Sequence, residues 1–257
     1  MKRGRVVVLD RILGATRERV SYLPGEFSGR FTDKPRSLAG AIHSVRGKNA
    51  IIAELKCTSP TSGPFRPSFY PVPLATDLIG GGCIGLSVLT EPTFFGGSIS
   101  TLKQVRRISP VPVLRKDFII DERQVYETRA MGADAILLIA GILKDQLPLY
   151  VNLSLTLGLE PLVEVHTLTD VKRAHTTEAT LIGINNRNLD TMDIDLETTL
   201  RLSPHLAGKD TTIISMSGIQ TPEDIRHLKG YCHAFLIGSA LMRSSHPTET
   251  LEGFVSA

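Results

Sequence analysis

The chain has 257 residues, 42% of them hydrophobic and 21% charged, enough for one substantial core, which excludes a disordered or fibrous protein. Its 29 basic and 26 acidic side chains leave a formal charge of +3, too mild for a nucleic-acid binder but compatible with an anionic small substrate. No apolar stretch reaches the ~18–20 residues of a membrane span, residues 133–143 being short and interrupted by Asp134, and residues 1–10 lack a signal-peptide core.

In chain order, a helical stretch is expected at 9–20. Short runs rich in Val, Ile and Leu then predict strands at 50–56, 84–90, 111–116, 135–139, 159–165, 181–185, 212–217 and 234–237. Their starts recur about every 26 residues, the size of one βα unit. Several runs are almost continuously apolar, as in parallel strands buried on both faces. Helices are expected between them, for example at 121–131, ending before Gly132, and at 222–228, entered from Thr221 with Pro222 in the first turn. Eight such units predict a (β/α)8 barrel over the whole of 1–257, with 1–48 as an N-terminal helical extension packed on it.

Cys57, Cys83 and Cys232 lie far apart, with no C-x-x-C pair. A disulfide framework or zinc knuckle is therefore not expected, and a reducing cytoplasm fits. No H-E-x-x-H or EF-hand-like loop is present, so no metal and no cofactor are expected.

In such barrels chemistry sits at the C-terminal strand ends. Strand 1 ends with Glu54 and Lys56, two apart and so on one face; strand 3 ends with Lys116, strand 5 with Glu164, and strand 6 runs into Asn185 and Arg187. One such residue is an ordinary rim residue, but this many sharing one mouth suit acid–base catalysis. After strands 7 and 8 come Ser217-Gly218 and Gly238-Ser239, and after strand 1 Ser59-Pro60-Thr61-Ser62-Gly63, small residues that suit a phosphate. Cys57 has the opposite parity to Lys56 and reads as structural. His166, two after Glu164, reads as a rim histidine.

Several of these stretches resemble the indole-3-glycerol-phosphate synthase family: Ile52-Ala53-Glu54-Leu55-Lys56 with Ser59-Pro60, Ser87-Val88-Leu89-Thr90-Glu91 with Phe94-Phe95-Gly96-Gly97-Ser98, Leu114-Arg115-Lys116-Asp117-Phe118-Ile119, Glu160-Pro161-Leu162-Val163-Glu164-Val165-His166, and Gly183-Ile184-Asn185-Asn186-Arg187-Asn188-Leu189. The likeness runs from about Leu9 to the C-terminus. It implies a metal-free carboxy-lyase of tryptophan biosynthesis. Such an enzyme converts 1-(2-carboxyphenylamino)-1-deoxyribulose 5-phosphate to indole-3-glycerol phosphate, carbon dioxide and water. Lys116 would be the acid for the ribulose carbonyl. Lys56, Glu54 and Glu164 would share the later acid and base steps. Asn185 and Arg187 would hold hydroxyl and carboxylate groups, and Phe95 and Phe118 the aromatic ring. Ser59, Ser217, Gly218, Gly238 and Ser239 would hold the phosphate.

The chain departs from the family at Met216, where a glutamate usually precedes the Ser-Gly, and at Thr61, where serine is common. Phosphoribosylanthranilate isomerase, a lysine Schiff-base enzyme and a non-catalytic phosphometabolite binder are the competing readings. The two lysines, with Glu164 and Asn185, oppose the isomerase and the binder. A cytoplasmic monomer is expected, with other tryptophan-pathway enzymes as candidate partners and neither nucleic acid nor membrane.

Overall fold

The computed structural model describes residues 8–27, 34–59, 63–65, 69–189, 191–206, 208 and 210–257. The expected Pro60, Thr61 and Ser62 of the strand-1 loop lie outside them, as do parts of the 1–48 extension. Eight parallel strands form a closed barrel: β1 Ala50–Leu55, β2 Gly85–Leu89, β3 Val113–Lys116, β4 Ala135–Ile139, β5 Glu160–Val165, β6 Leu181–Asn185, β7 Thr212–Met216 and β8 Ala234–Ile237. Each pairs with the next, and β8 closes onto β1 with Ile52 opposite Leu236.

Three expected strands keep their bounds and the others differ by one or two residues at an end. β3 starts at Val113 rather than 111 because Pro112 has no N–H for the ladder; only its carbonyl is used, by Leu86 N. β7 stops at Met216 because Ser217 takes a positive φ of 65°. β1 stops at Leu55, one residue before Lys56.

Alternation along each strand sorts two cores. Ile52, Leu114, Leu137, Ile139, Leu162, Leu181, Ile214, Met216 and Leu236 fill the barrel. Their neighbours face the helices in two outer clusters, one around Ile51, Leu86 and Phe235, the other around Ile136, Val163 and Ile182. Burying each such aliphatic side chain stabilises the fold by about 1.5–3 kcal/mol relative to exposure. Helix Glu122–Ala130, expected at 121–131, is narrowed by its own caps: Asp121 accepts from Arg123 N while Gln124 Oε1 accepts from Asp121 N.

The described part of the extension serves both ends of the barrel. Helix α1, Val8–Ser21, buries Ile12, Thr16 and Val20 at four-residue spacing. It lies across the C-terminal mouth, where Arg19 forms a two-pronged pair with Asp117 at 2.7 and 2.9 Å. Helix α2, Leu38–Ser44, closes the opposite end. Glu160 accepts there from Ser37 Oγ at 2.6 Å and from the Leu38 and Ala39 amides, so the carboxylate neutralises the helix N-terminus. Among the described residues no helix is long and apolar enough to cross a membrane.

Candidate active site

The strand ends converge on one cavity, and all thirteen candidate residues line it: Glu54, Lys56, Ser59, Phe95, Lys116, Phe118, Glu164, Asn185, Arg187, Ser217, Gly218, Gly238 and Ser239. Cys57 does not line it; burial pushes its thiol pKa upward, and its Cβ and Sγ lie against Gly96.

Two lysine–carboxylate pairs dominate. Lys56 Nζ sits 2.7 Å from Glu54 Oε1. Burial pushes the Glu54 carboxyl pKa up, but Lys56 first, then Lys116 and Arg187, outweigh it and hold it below the ordinary carboxylate range. Gly238 makes room for this carboxylate, since a Cβ there would collide with Glu54. Lys116 Nζ lies 3.5 Å from Glu164 Oε2, while Asn185 Nδ2 donates to Glu164 Oε1 at 2.9 Å. Asn185 Oδ1 in turn accepts from Arg187 N at 2.9 Å, so one amide side chain fixes both neighbours. The Glu164 side chain is 2% exposed and its Oε2 has no hydrogen-bond partner, leaving that oxygen available to a bound molecule.

Arg187 is braced by donating Nη1 to the Met192 carbonyl at 2.9 Å. Burial lowers its guanidinium pKa from the usual value, with Arg243 acting in the same direction and Glu54 opposing. Phe95 and Phe118 face each other with centroids 6.1 Å apart and ring planes at 31°. Phe95 is placed by the buried Glu91, whose carboxylate accepts from the Thr93, Phe94 and Phe95 amides at the start of helix Pro92–Phe95. On the β7–β8 side, Ser217 and Gly218 take consecutive left-handed conformations, φ 65° and 89°. Such a turn can aim successive N–H groups at an anion. Asn186 supports it by donating Nδ2 to the Ser217 carbonyl at 3.0 Å.

Met216 faces the barrel interior and lines the cavity, 1% exposed, with its thioether over Gly183. The position where the resembled family carries a carboxylate is therefore an apolar part of the wall.

The sequence reading missed several residues. Leu137 and Ile139 were findable from strand parity; Leu9 and Ile12 belong to an expected helix whose docking place no local pattern gives, and Leu189 and Met192 of the β6 loop had no periodic signal. Phe65 was also missed: its ring has Lys56 Nζ 5.4 Å and the Arg243 guanidinium 5.5 Å from its centroid. Among the described residues no cluster of three or more His, Cys, Asp or Glu side chains could hold a metal ion.

A closed (β/α)8 barrel whose mouth gathers two lysine–carboxylate pairs beside an anion-suited turn has the architecture and lining of a barrel enzyme. Comparison with known proteins narrows the class. The indole-3-glycerol phosphate synthase family matches residues 9–254. A curated indole-3-glycerol phosphate synthase of Polaromonas naphthalenivorans (strain CJ2) is 46% identical over 216 residues, covering 82% of each chain. Among solved structures, a chain from Aquifex aeolicus VF5 aligns with TM-score 0.62 at 11% identity, covering 84% of this chain and 96% of its own. The tryptophan synthase alpha chain of Legionella pneumophila subsp. pneumophila aligns with TM-score 0.58 at 13% identity, covering 84% and 94%. These two likenesses show the fold alone. The chain belongs to the indole-3-glycerol phosphate synthase family.

Proposed function

We propose that this chain, as its family membership supports, is a carboxy-lyase that makes indole-3-glycerol phosphate in tryptophan biosynthesis, and that it does so by lysine–glutamate acid–base catalysis on 1-(2-carboxyphenylamino)-1-deoxyribulose 5-phosphate. The observation that carries the mechanism is the Lys116–Glu164 pair at 3.5 Å beside the Lys56–Glu54 pair at 2.7 Å, in one cavity.

Ring closure needs the ribulose carbonyl polarised as the aromatic carbon attacks it. Lys116 donates a proton to that oxygen, an interaction that strengthens as the alkoxide develops. Loss of carbon dioxide restores the aromatic ring. The new hydroxyl then leaves as water with a proton from Lys56, whose ammonium is steadied by Glu54. Glu164, oriented by Asn185, takes the proton lost from the methylene carbon beside the nitrogen. Arg187 binds the substrate carboxylate through its fork of donors. Phe95 and Phe118 bed the aromatic ring; Ser59, Ser217, Gly218, Gly238 and Ser239 hold the phosphate. With Met216 uncharged, Glu54 is the carboxylate that serves Lys56.

Residues 1–257 act as one unit, a cytoplasmic monomer open to other tryptophan-pathway enzymes. The decisive experiment follows indole fluorescence as the purified chain meets the carboxyphenylamino substrate. Product formation that disappears in Lys116→Met supports the reading; a wild-type chain that forms no indole-3-glycerol phosphate refutes it.

A further inference from the structure

Lys56 follows the last residue of β1 and carries its ammonium on a flexible four-carbon stem, so the strand alone does not aim it. Two contacts do. Glu54 Oε1 lies 2.7 Å from Nζ, and the centroid of the Phe65 ring lies 5.4 Å from it, within reach of a cation–π attraction. The Lys56 side chain is only 12% exposed, and a ring face attracts a cation more strongly as water is withdrawn. Lys56 and Glu54 line the catalytic cavity and Phe65 does not, so the ring meets the ammonium from outside the space that substrate fills.

The ring is itself held in place. Phe65 N donates to the Cys57 carbonyl at 3.0 Å, beside a short antiparallel ladder in which Thr58 pairs with Pro64 and Ser59 with Gly63. The Phe65 side chain packs against the outer cluster around Ile51, Leu86 and Phe235. The Arg243 guanidinium, at the end of helix Ser239–Arg243, lies 5.5 Å from the same centroid. Turning the ring away from Lys56 would take it off the cluster and off Arg243 together. A leucine would also pack against the cluster. What the phenyl ring adds is a negative face shared by two cations.

We infer that Phe65 is a positioning residue for the dehydration step, its ring face keeping the Lys56 ammonium beside Glu54 and aimed at the hydroxyl that leaves. The inference rests on the reading of Lys56 given above. Phe65 touches no substrate and moves no proton. Ring closure relies on Lys116, whose ammonium is paired with Glu164 instead, so the earlier steps should not depend on the ring. Carbon dioxide leaves before the hydroxyl does, and the indole exists only after it. Loss of the ring face should therefore separate two products that can be read independently.

The test follows a single turnover of the intact chain on the carboxyphenylamino substrate, recording carbon dioxide release and indole fluorescence together. Phe65→Leu should slow indole formation about tenfold relative to wild type, the scale of a desolvated cation–π contact. Its carbon dioxide release should stay within about twofold of wild type. Phe65→Tyr keeps the ring face and should match wild type in both. Replacing Phe65 by 3,4,5-trifluorophenylalanine keeps the shape of the ring but cancels its negative face, and should reproduce the delay seen in Phe65→Leu. Wild-type indole formation in the trifluoro variant would mean that the ring only packs, and would overturn the inference. So would a Phe65→Leu variant that slows both products equally or neither. Lys56→Met, assayed alongside, keeps the two readings apart. If it does not delay indole behind carbon dioxide, the reading of Lys56 falls and the inference with it; a delay in Lys56→Met without one in Phe65→Leu removes only the role of the ring.

Discussion

Three consecutive residues, Arg115, Lys116 and Asp117, meet two very different fates. Lys116 points into the mouth, 18% exposed, with a single carboxylate 3.5 Å away. Arg115 points outward and is fully buried. It donates to Thr90 Oγ1, Thr128 Oγ1 and the Gln124 carbonyl, and pairs with Asp117 at 3.0 Å and Glu127 at 2.8 Å. Asp117 accepts in addition from Arg19, Thr90 Oγ1 and Phe118 N. The outward cluster is saturated with partners, and the inward lysine is undersupplied. Saturation marks charge that holds structure, while spare capacity marks charge kept for a ligand, because an unmet buried polar group is tolerated only where something else satisfies it.

Substitutions on the two faces should separate function from stability. The largest effect is expected for Lys116→Met, with kcat falling at least about a hundredfold while substrate affinity stays within about tenfold and stability within about 1 kcal/mol. Retention of a tenth of kcat would mean a contribution of only ~1.4 kcal/mol and would end the general-acid assignment. Glu164→Gln comes next and should slow turnover more than His166→Ala; steady-state rates in the reverse order would count against Glu164 as the base.

In the saturated cluster, Asp117→Ala removes one of the two carboxylates of the buried Arg115 and the partner of Arg19, and should cost about 3–5 kcal/mol in urea unfolding. A loss below about 1 kcal/mol would show that the network is not structural. The same contrast exists at the end of β7. Ser215 faces outward among Asn186 and Thr199, so Ser215→Glu should destabilise by several kcal/mol. Met216→Glu, on the mouth side, should fold with a melting temperature well above that of Ser215→Glu. Equal melting temperatures would contradict the assigned facing.

The smallest effect concerns acid. Asp117 lies below its ordinary pKa: burial pushes it up, but Arg115 and Arg19 outweigh that and pull it down, and Glu54 is likewise held low. A depressed carboxylate contributes stability that is full above its unfolded pKa, about 4, and fades as pH falls through the folded value. Unfolding free energy should thus be level from neutrality to about pH 5 and fall below that, with a shallower acid limb in Asp117→Asn. An identical limb in the variant would remove Asp117 from the acid response.

What was legible in the sequence followed from period and parity. The strands at 135–139, 181–185 and 234–237 are apolar runs without proline or a left-handed turn at their edges, and their bounds were read directly. Glu54, Lys116, Glu164 and Asn185 were readable because strand ends in a closed barrel converge. Phe65 between Lys56 and Arg243 and the seating of α1 over the mouth were not legible. They join segments distant along the chain, such as Arg19 and Asp117, 98 residues apart. No local pattern encodes such a meeting.

That separation has a consequence during synthesis. At about 5–20 residues per second, α1 waits roughly 5–20 s on the ribosome before Asp117 exists to receive Arg19. Its stripe of Ile12, Thr16 and Val20 meanwhile has no barrel to lie on. Helix α2 waits longer for Glu160, 122 residues after Leu38. Asn49, which donates to the Phe254 and Ala257 carbonyls, waits until the last helix is made. Both ends of the barrel are therefore sealed late by segments translated early, and the nascent chain carries its own unseated plugs while the strands between them assemble.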